Sequence, residues 1–313
     1  MIPPSPVFRP PRREFLSAAG LCLLLASCSL LGRSEKRARM ATAVPSPSDT
    51  PLSGPILPLR TDPSPPAEIS TPSSILSCPD LHGSLSAVSA PGTITGESVE
   101  FRVYLPPCYD SEAGDRYPAL FLFHGLGRTP DQWHALGLED TADRLILSGE
   151  IAPLIIVLPY IRGEDSDDAV FLADLLPAAD GRFRTLADRE HRAIGGVSRG
   201  ALWALRLALR RADLFGAVGV HSISRSPNAL ADIYLWAEAV PETIWPRMYF
   251  DGGYSDPALP QMQEILRVFD LLQRPYESRI PPGDHSDAYW SEHLREYLLW
   301  YAAGWVNANA PAE

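Results

Sequence analysis

The sequence predicts an α/β fold, a mostly parallel β-sheet with helices on both faces. Three observations carry this. From residue 85 onward, short apolar runs bounded by Gly and Pro alternate with longer stretches of helical period. Several of the runs are continuously apolar, as strands buried on both faces must be. One run, residues 193–197, leads through Ser198-Arg199-Gly200 straight into a helical stripe, a strand–turn–helix join.

The elements follow in order. Residues 85–88 and 99–105 read as early strands, separated by the turn signal Pro91-Gly92. Residues 119–123, between Pro118 and Gly125, form a buried strand, and Thr129-Pro130-Asp131 opens one helix reaching about Leu147. A second buried strand spans 154–158, and residues 169–176 are helical. After the strand 193–197, the stretch 201–211 places Leu202, Leu205 and Leu209 on one stripe. Arg206, Arg210 and Arg211 lie elsewhere on it, so that helix is amphipathic. Strands at 217–220 and 247–250, a helix at 259–272, a last strand at 276–280 and a closing helix at 287–301 complete the alternation.

Composition divides the 313 residues before any motif is considered. Fourteen of the 32 prolines fall in the first 77 residues, where no apolar period is sustained. Residues 29–77 are expected to be an extended Pro/Ser-rich linker, and 78–305 a single catalytic-sized domain followed by a short tail, 306–313. Residues 1–28 read as an export signal. Arg9, Arg12 and Arg13 precede an apolar run too short to span a bilayer, Arg12-Arg13-Glu14-Phe15-Leu16 resembles a twin-arginine signal, and Leu25-Ala26-Ser27-Cys28 resembles a bacterial lipobox. The expectation is an exported protein anchored to the bacterial membrane through lipidated Cys28. The alternative is a cytoplasmic protein started at Met40, because the basic cluster Arg33, Lys36, Arg37 and Arg39 follows the apolar run. Cys78 and Cys108 then remain as an even pair in an oxidising compartment and are expected to form a disulfide. The formal net charge of −11 argues against nucleic acid and anionic membrane surfaces as partners.

Chemistry concentrates at Gly196-Val197-Ser198-Arg199-Gly200. A G-x-S-x-G turn between strand and helix is the nucleophile elbow of α/β-hydrolases. Its glycines let the two elements approach, and its serine is exposed at a helix N-terminus that favours a developing anion. In such sheets the site lies at the carboxyl ends of the strands, with chain order serine, acid, histidine. Of the seven histidines only His285 and His293 follow a plausible acid. His293 lies mid-helix beside Trp290, Leu294 and Tyr297. His285 hangs in a loop just after the last strand, where a general base can reach Ser198. His124 ends a buried strand as a structural ring, while Gly125-Leu126-Gly127 offers the backbone N–H of Leu126, with that of Arg199, to an oxyanion. His221 at a strand end is expected to be packed. For the acid, Asp256 is preferred to Asp251, which is expected to stabilise the turn through nearby N–H groups.

These residues resemble those of the esterase family of α/β-hydrolases that includes esterase D (S-formylglutathione hydrolase), feruloyl esterases, enterochelin esterases and mycolyltransferases. The resemblance covers about residues 82–302. It rests on Tyr104-Leu105-Pro106-Pro107 with Tyr109-Asp110, Phe123-His124-Gly125, the run 192–200, Asp251-Gly252-Gly253-Tyr254-Ser255-Asp256, and Gly283-Asp284-His285 with Tyr289-Trp290. Ala201 stands where the family often has a second glycine. The resemblance implies hydrolysis of a small-molecule or polymer-borne carboxylic ester by Ser198, His285 and Asp256, with no metal or organic cofactor. Two alternatives stand beside it: acyl transfer to a non-water acceptor by an enzyme of the same family, and a binding module on an inactive hydrolase fold. The run Asp165, Asp167, Asp168 lacks the glycine and terminal glutamate of a calcium loop. Tyr160 and, from the insertion 222–246, Trp236 (with Tyr234 and Trp245) are expected to line the substrate pocket. Glu164, Asp165, Asp167 and Asp168 are expected to form an acidic rim that repels anionic substrates.

Overall fold

The structure, a computed structural model, describes residues 81–110, 114–162, 167–224, 226 and 229–305. The expected leader with Cys28, the linker 29–77, Cys78 and the tail 306–313 lie outside the described residues. Eight strands form one sheet in the order β1-β2-β4-β3-β5-β6-β7-β8. They are β1 Ser84–Ala90, β2 Val99–Leu105, β3 Ala119–Phe123, β4 Ile155–Pro159, β5 Arg192–Val197, β6 Ala217–His221, β7 Arg247–Asp251 and β8 Glu277–Arg279. β1 pairs antiparallel with β2 and β2 with β4, while every pairing from β4 through β8 is parallel. This is the α/β-hydrolase arrangement expected from the alternation of runs.

The period of two along the central strands feeds two cores. In β3, Phe121 and Phe123 enter one core and Leu120 and Leu122 the other; in β4, Ile155 and Val157 part from Ile156 and Leu158 in the same way. Burying each such side chain fully contributes about 1.5–3 kcal/mol. Helices α1 Asp131–Ala135 and α2 Leu138–Leu147 cover one face together with the last helix, α8 Asp287–Ala302. Helices α3 Asp167–Val170 and α4 Leu176–Arg182, then α5 Arg199–Arg210, α6 Ala229–Ala239 and α7 Leu259–Leu271, cover the other.

Two of the expected helices differ from the sequence expectation. The single helix expected from 129 to 147 is broken into α1 and α2 by Gly137, whose φ of 87° is a left-handed conformation that glycine adopts without a Cβ penalty. The helix expected to end at Leu176 instead runs on to Arg182 through a π-turn, Phe171–Leu175. Pro177 has no N–H to give the carbonyl four residues back, and the wider turn accommodates the gap.

The centre of the sheet contains a slot. Gly195 and Gly219 are register partners on β5 and β6. A Cβ would lie 1.7 Å from the Tyr301 hydroxyl at Gly195 and 1.9 Å from it at Gly219. The glycine pair therefore admits the Tyr301 hydroxyl from α8 to the His221 ring, whose Nε2 it meets at 2.9 Å. Gly195→Ala is expected to destabilise the fold by about 3 kcal/mol, from overpacking plus a lost buried hydrogen bond. The shift of the urea midpoint at unchanged m-value measures it.

Candidate active site

β5 ends against α5 with no room for side chains at the join. A Cβ on Gly196 would lie 2.6 Å from the Gly200 carbonyl carbon and 2.7 Å from the Phe123 oxygen, and one on Gly200 only 2.4 Å from that oxygen. Between them Ser198 is held at φ 57°, ψ −117°, a strained backbone for a residue with a Cβ. Its N–H donates to the His221 carbonyl at 2.9 Å, and its own carbonyl accepts from Ser224 N–H at 3.0 Å. The elbow is thereby tied to the end of β6, and the Ser198 side chain faces the loops beyond the sheet.

Two of those loops are laced together. Tyr254 N–H donates to the Pro281 carbonyl and Ser255 N–H to the Gly283 carbonyl, both at 2.8 Å. The close approach needs glycine: a Cβ on Gly253 would lie 2.3 Å from the Gly283 backbone. The lacing brings Asp256, after β7, to His285, after β8. His285 Nε2 lies 2.9 Å from Ser198 Oγ, and its Nδ1 lies 3.0 Å from both carboxylate oxygens of Asp256. The Asp256 side chain is fully buried while that of His285 is about one quarter exposed, so the ring is open to a reactant on one side only. Burial would push the Asp256 carboxyl up. The His285 ring, the Ala258 N–H at 2.7 Å and the Ser222 hydroxyl outweigh that and hold it below the usual carboxylate range.

Asp251 has another environment, and its expected place in a turn is corrected. Its buried carboxylate meets His221 Nδ1 at 2.5 Å and accepts from the Tyr289 and Tyr297 hydroxyls at 2.7 and 2.8 Å. Burial and the Asp251 charge push both hydroxyls well up, keeping them protonated donors. His221 is fully buried and stacked on Tyr297 at 3.7 Å, a packed residue under the elbow. His293 bonds the Tyr289 carbonyl one turn back, at 2.8 Å, within α8.

On the other side of Ser198, β3 delivers the turn 124–127. A Cβ on Gly125 would lie 3.6 Å from the Ser198 Cβ, so the turn abuts the serine. Gly125 N–H is committed to Gln132 Oε1 at 2.8 Å. The Gln132 amide in turn donates to Asp287 at the start of α8, also at 2.8 Å. Arg199 opens α5, so its N–H has no acceptor inside the helix. His124 is neutral by construction: Nδ1 donates to the Gly125 carbonyl at 2.9 Å and Nε2 accepts from Ile161 N–H at 3.1 Å. Burial pushes the ring below its ordinary value against the opposing Gly125 carbonyl, and the Arg199 charge adds to the lowering.

A cavity of about 510 Å³ opens beside this turn, lined by Leu126, Tyr160, Arg199 and Trp203 among others. Tyr160 stacks on His124 at 5.8 Å. Trp236 is not at this cavity. It lies on α6 under the Arg210 guanidinium, and Trp245 packs edge-on to Phe269, so both tryptophans of the insertion pack against the core. The aromatic that joins Tyr160 in the cavity lining is Trp203, on α5, a position that the sequence places only in a helix. Of the expected acidic rim, Asp168 turns inward to Arg206 and Arg210 on α5, Asp167 borders a neighbouring pocket with Tyr160 and Arg162, and Glu164 and Asp165 lie outside the described residues. Ser222 was also missed. It sits at φ 50° directly after β6, buried, and its hydroxyl accepts from Trp290 Nε1 at 3.0 Å while bonding Asp256. Its place at a strand's carboxyl end was the available signal.

The sequence matches the family described as "Putative esterase" over residues 92–174 and 168–301. The chain belongs to this family. The second match contains Ser198, Asp256 and His285. Among curated relatives, an endo-1,4-beta-xylanase/feruloyl esterase of Xylanibacter ruminicola is 32% identical over 157 residues, 45% of this chain and 22% of that protein. Esterase Rv1288 of Mycobacterium tuberculosis is 32% identical over 135 residues, 38% of this chain and 28% of that protein. The aligned stretch is thus about a quarter of these relatives' length. Among solved structures, a ferulic acid esterase superposes with TM-score 0.65 at 23% identity, covering 71% of this chain and 99% of the other. An S-formylglutathione hydrolase from Staphylococcus aureus gives TM-score 0.58 at 18% identity, covering 71% and 97%. The esterase family's fold is therefore this chain's fold.

Proposed function

We propose that the chain is a serine carboxylic-ester hydrolase working through an acyl-enzyme on Ser198. The reading is supported by family membership, and one observation carries it to named residues: the relay from Asp256 through His285 to Ser198, with links of 3.0 and 2.9 Å. In this mechanism His285 Nε2 takes the Ser198 proton as Oγ attacks the ester carbonyl. The N–H groups of Arg199 and Leu126 hold the oxyanion, and Asp256 steadies the imidazolium through Nδ1. His285 returns the proton to the departing alcohol. Water, deprotonated by the same ring, then attacks the acyl group and frees Ser198. The feruloyl esterases and S-formylglutathione hydrolases among the relatives favour small-molecule or polymer-borne esters as substrates. The expected result is turnover of p-nitrophenyl acetate and labelling of Ser198 by a fluorophosphonate, located by peptide mass spectrometry. Absence of both ester turnover and an adduct at Ser198 would overturn the reading.

The proposal extends to where the enzyme works. The motifs ending at Cys28 support export and lipid anchoring, residues 29–77 a tether to the membrane, and Cys78 with Cys108 a disulfide in the domain at 78–305. Cys28→Ser is expected to move the protein from the membrane fraction of a bacterial host to a soluble fraction. A wild-type protein found in the cytoplasm with Met40 at its N-terminus would contradict export.

A further inference from the structure

For a chain of net charge −11, the cavity beside Ser198 has an unexpected lining. Three of its twelve described lining residues are arginines, Arg128, Arg162 and Arg199, and none is a carboxylate. Two of the guanidiniums are fixed through one nitrogen each, Arg128 by Asp287 at 2.8 Å and Arg162 by Glu97. Those anions offset two of the three charges. Arg199 is different. Its guanidinium lies 5.6 Å over the Trp203 ring, and among the described residues it has no carboxylate partner. Of the two acids of α3, Asp168 is already held by Arg206 and Arg210, and Asp167 borders the adjoining pocket with Tyr160 and Arg162; neither is in the lining of this cavity. The remaining titratable ring in the lining, His124, is neutral.

We infer that this cavity selects esters carrying a carboxylate, which Arg199 binds with Arg162 and Arg128 flanking it, while Tyr160 and Trp203 receive the apolar part. The inference rests on the proposed esterase reading and narrows its substrate class. It reverses the repulsion of anionic substrates expected from the sequence. A guanidinium packed over an aromatic ring gives up little freedom on binding a carboxylate, and the pair can be bidentate. The N-terminus of α5, aimed at the same space, adds to the field.

Two matched pairs place the carboxylate on either side of the ester: 4-acetoxybenzoate against methyl 4-acetoxybenzoate, and monoethyl glutarate against ethyl pentanoate. The quantity read is the charged-to-neutral ratio of kcat/KM in wild type, Arg199→Gln and Arg162→Gln. Comparing ratios between variants cancels the intrinsic reactivity of each ester and any general loss of activity. For at least one pair the ratio is expected to fall about tenfold in Arg199→Gln, the size of one charge-assisted hydrogen bond, and by a smaller factor in Arg162→Gln. The wild-type ratio is expected to fall as salt rises. Ratios unchanged in both variants for both pairs, or rising with salt, would overturn the inference while leaving the esterase reading in place. Failure to hydrolyse even the neutral members would instead count against that reading.

Discussion

Ser198→Ala is expected to lower ester hydrolysis by about 10⁵- to 10⁶-fold, the loss seen when the nucleophile of a relay of this kind is removed. The fold should remain. The backbone of residue 198 is strained at φ 57°, but that strain is imposed by contacts of Gly196 and Gly200 with β3 and not by the hydroxyl. Alanine carries the same Cβ into the same conformation, so the backbone is no worse off. What is removed is one part-buried hydrogen bond to His285, and stability should fall by no more than about 0.5 kcal/mol. Single-turnover release of p-nitrophenol measures the first effect, and equilibrium denaturation the second. A variant that kept turnover within an order of magnitude of wild type would remove Ser198 as nucleophile.

The two aspartates five residues apart should separate cleanly by what each substitution damages. Asp256→Asn replaces the acceptor of His285 Nδ1–H with an amide, which favours the wrong ring tautomer and costs about 10⁴ in kcat in a serine-protease triad. A loss of about 10³ to 10⁴ is expected here, with KM little changed. Asp251→Asn leaves the relay intact but strips a buried carboxylate from His221, Tyr289 and Tyr297. Because those donors are then poorly matched in a water-free space, the expected cost is about 3–5 kcal/mol of stability, with a much smaller change in kcat of the folded enzyme. Parallel measurement of kcat and urea midpoints on both variants distinguishes them. The reverse pattern would exchange their roles.

Much of the architecture was legible from residue order alone, because it depends on local pattern. Continuous apolar runs must be buried on both faces, and the sheet runs through each of them. The strand–turn–helix join at Gly196 to Gly200 follows from glycines at positions where, as the structure shows, a Cβ would meet backbone. Gly137 could have revealed the broken helix, but an isolated glycine in a helical pattern does not announce whether its φ is positive. Pro177 marked a real disturbance, and only packing decided that the helix would pass through it on a π-turn instead of stopping.

The site divides along the same line. The order of residues shows which types stand at strand ends, and so the candidates Ser198, His285, Asp256 and the turn at Leu126. It could not determine where long side chains point, since that depends on partners far away in the chain. Asp168 turns to Arg206 and Arg210, 38 and 42 residues on, and is lost from the rim. Trp236 packs on α5 while Trp203, on that helix, lines the cavity. Asp251 is drawn to tyrosines of α8, and Ser222 is brought beneath Asp256. Each of these is a long-range contact chosen by burial and charge pairing, and the described lining of the cavity carries three arginines and no carboxylate.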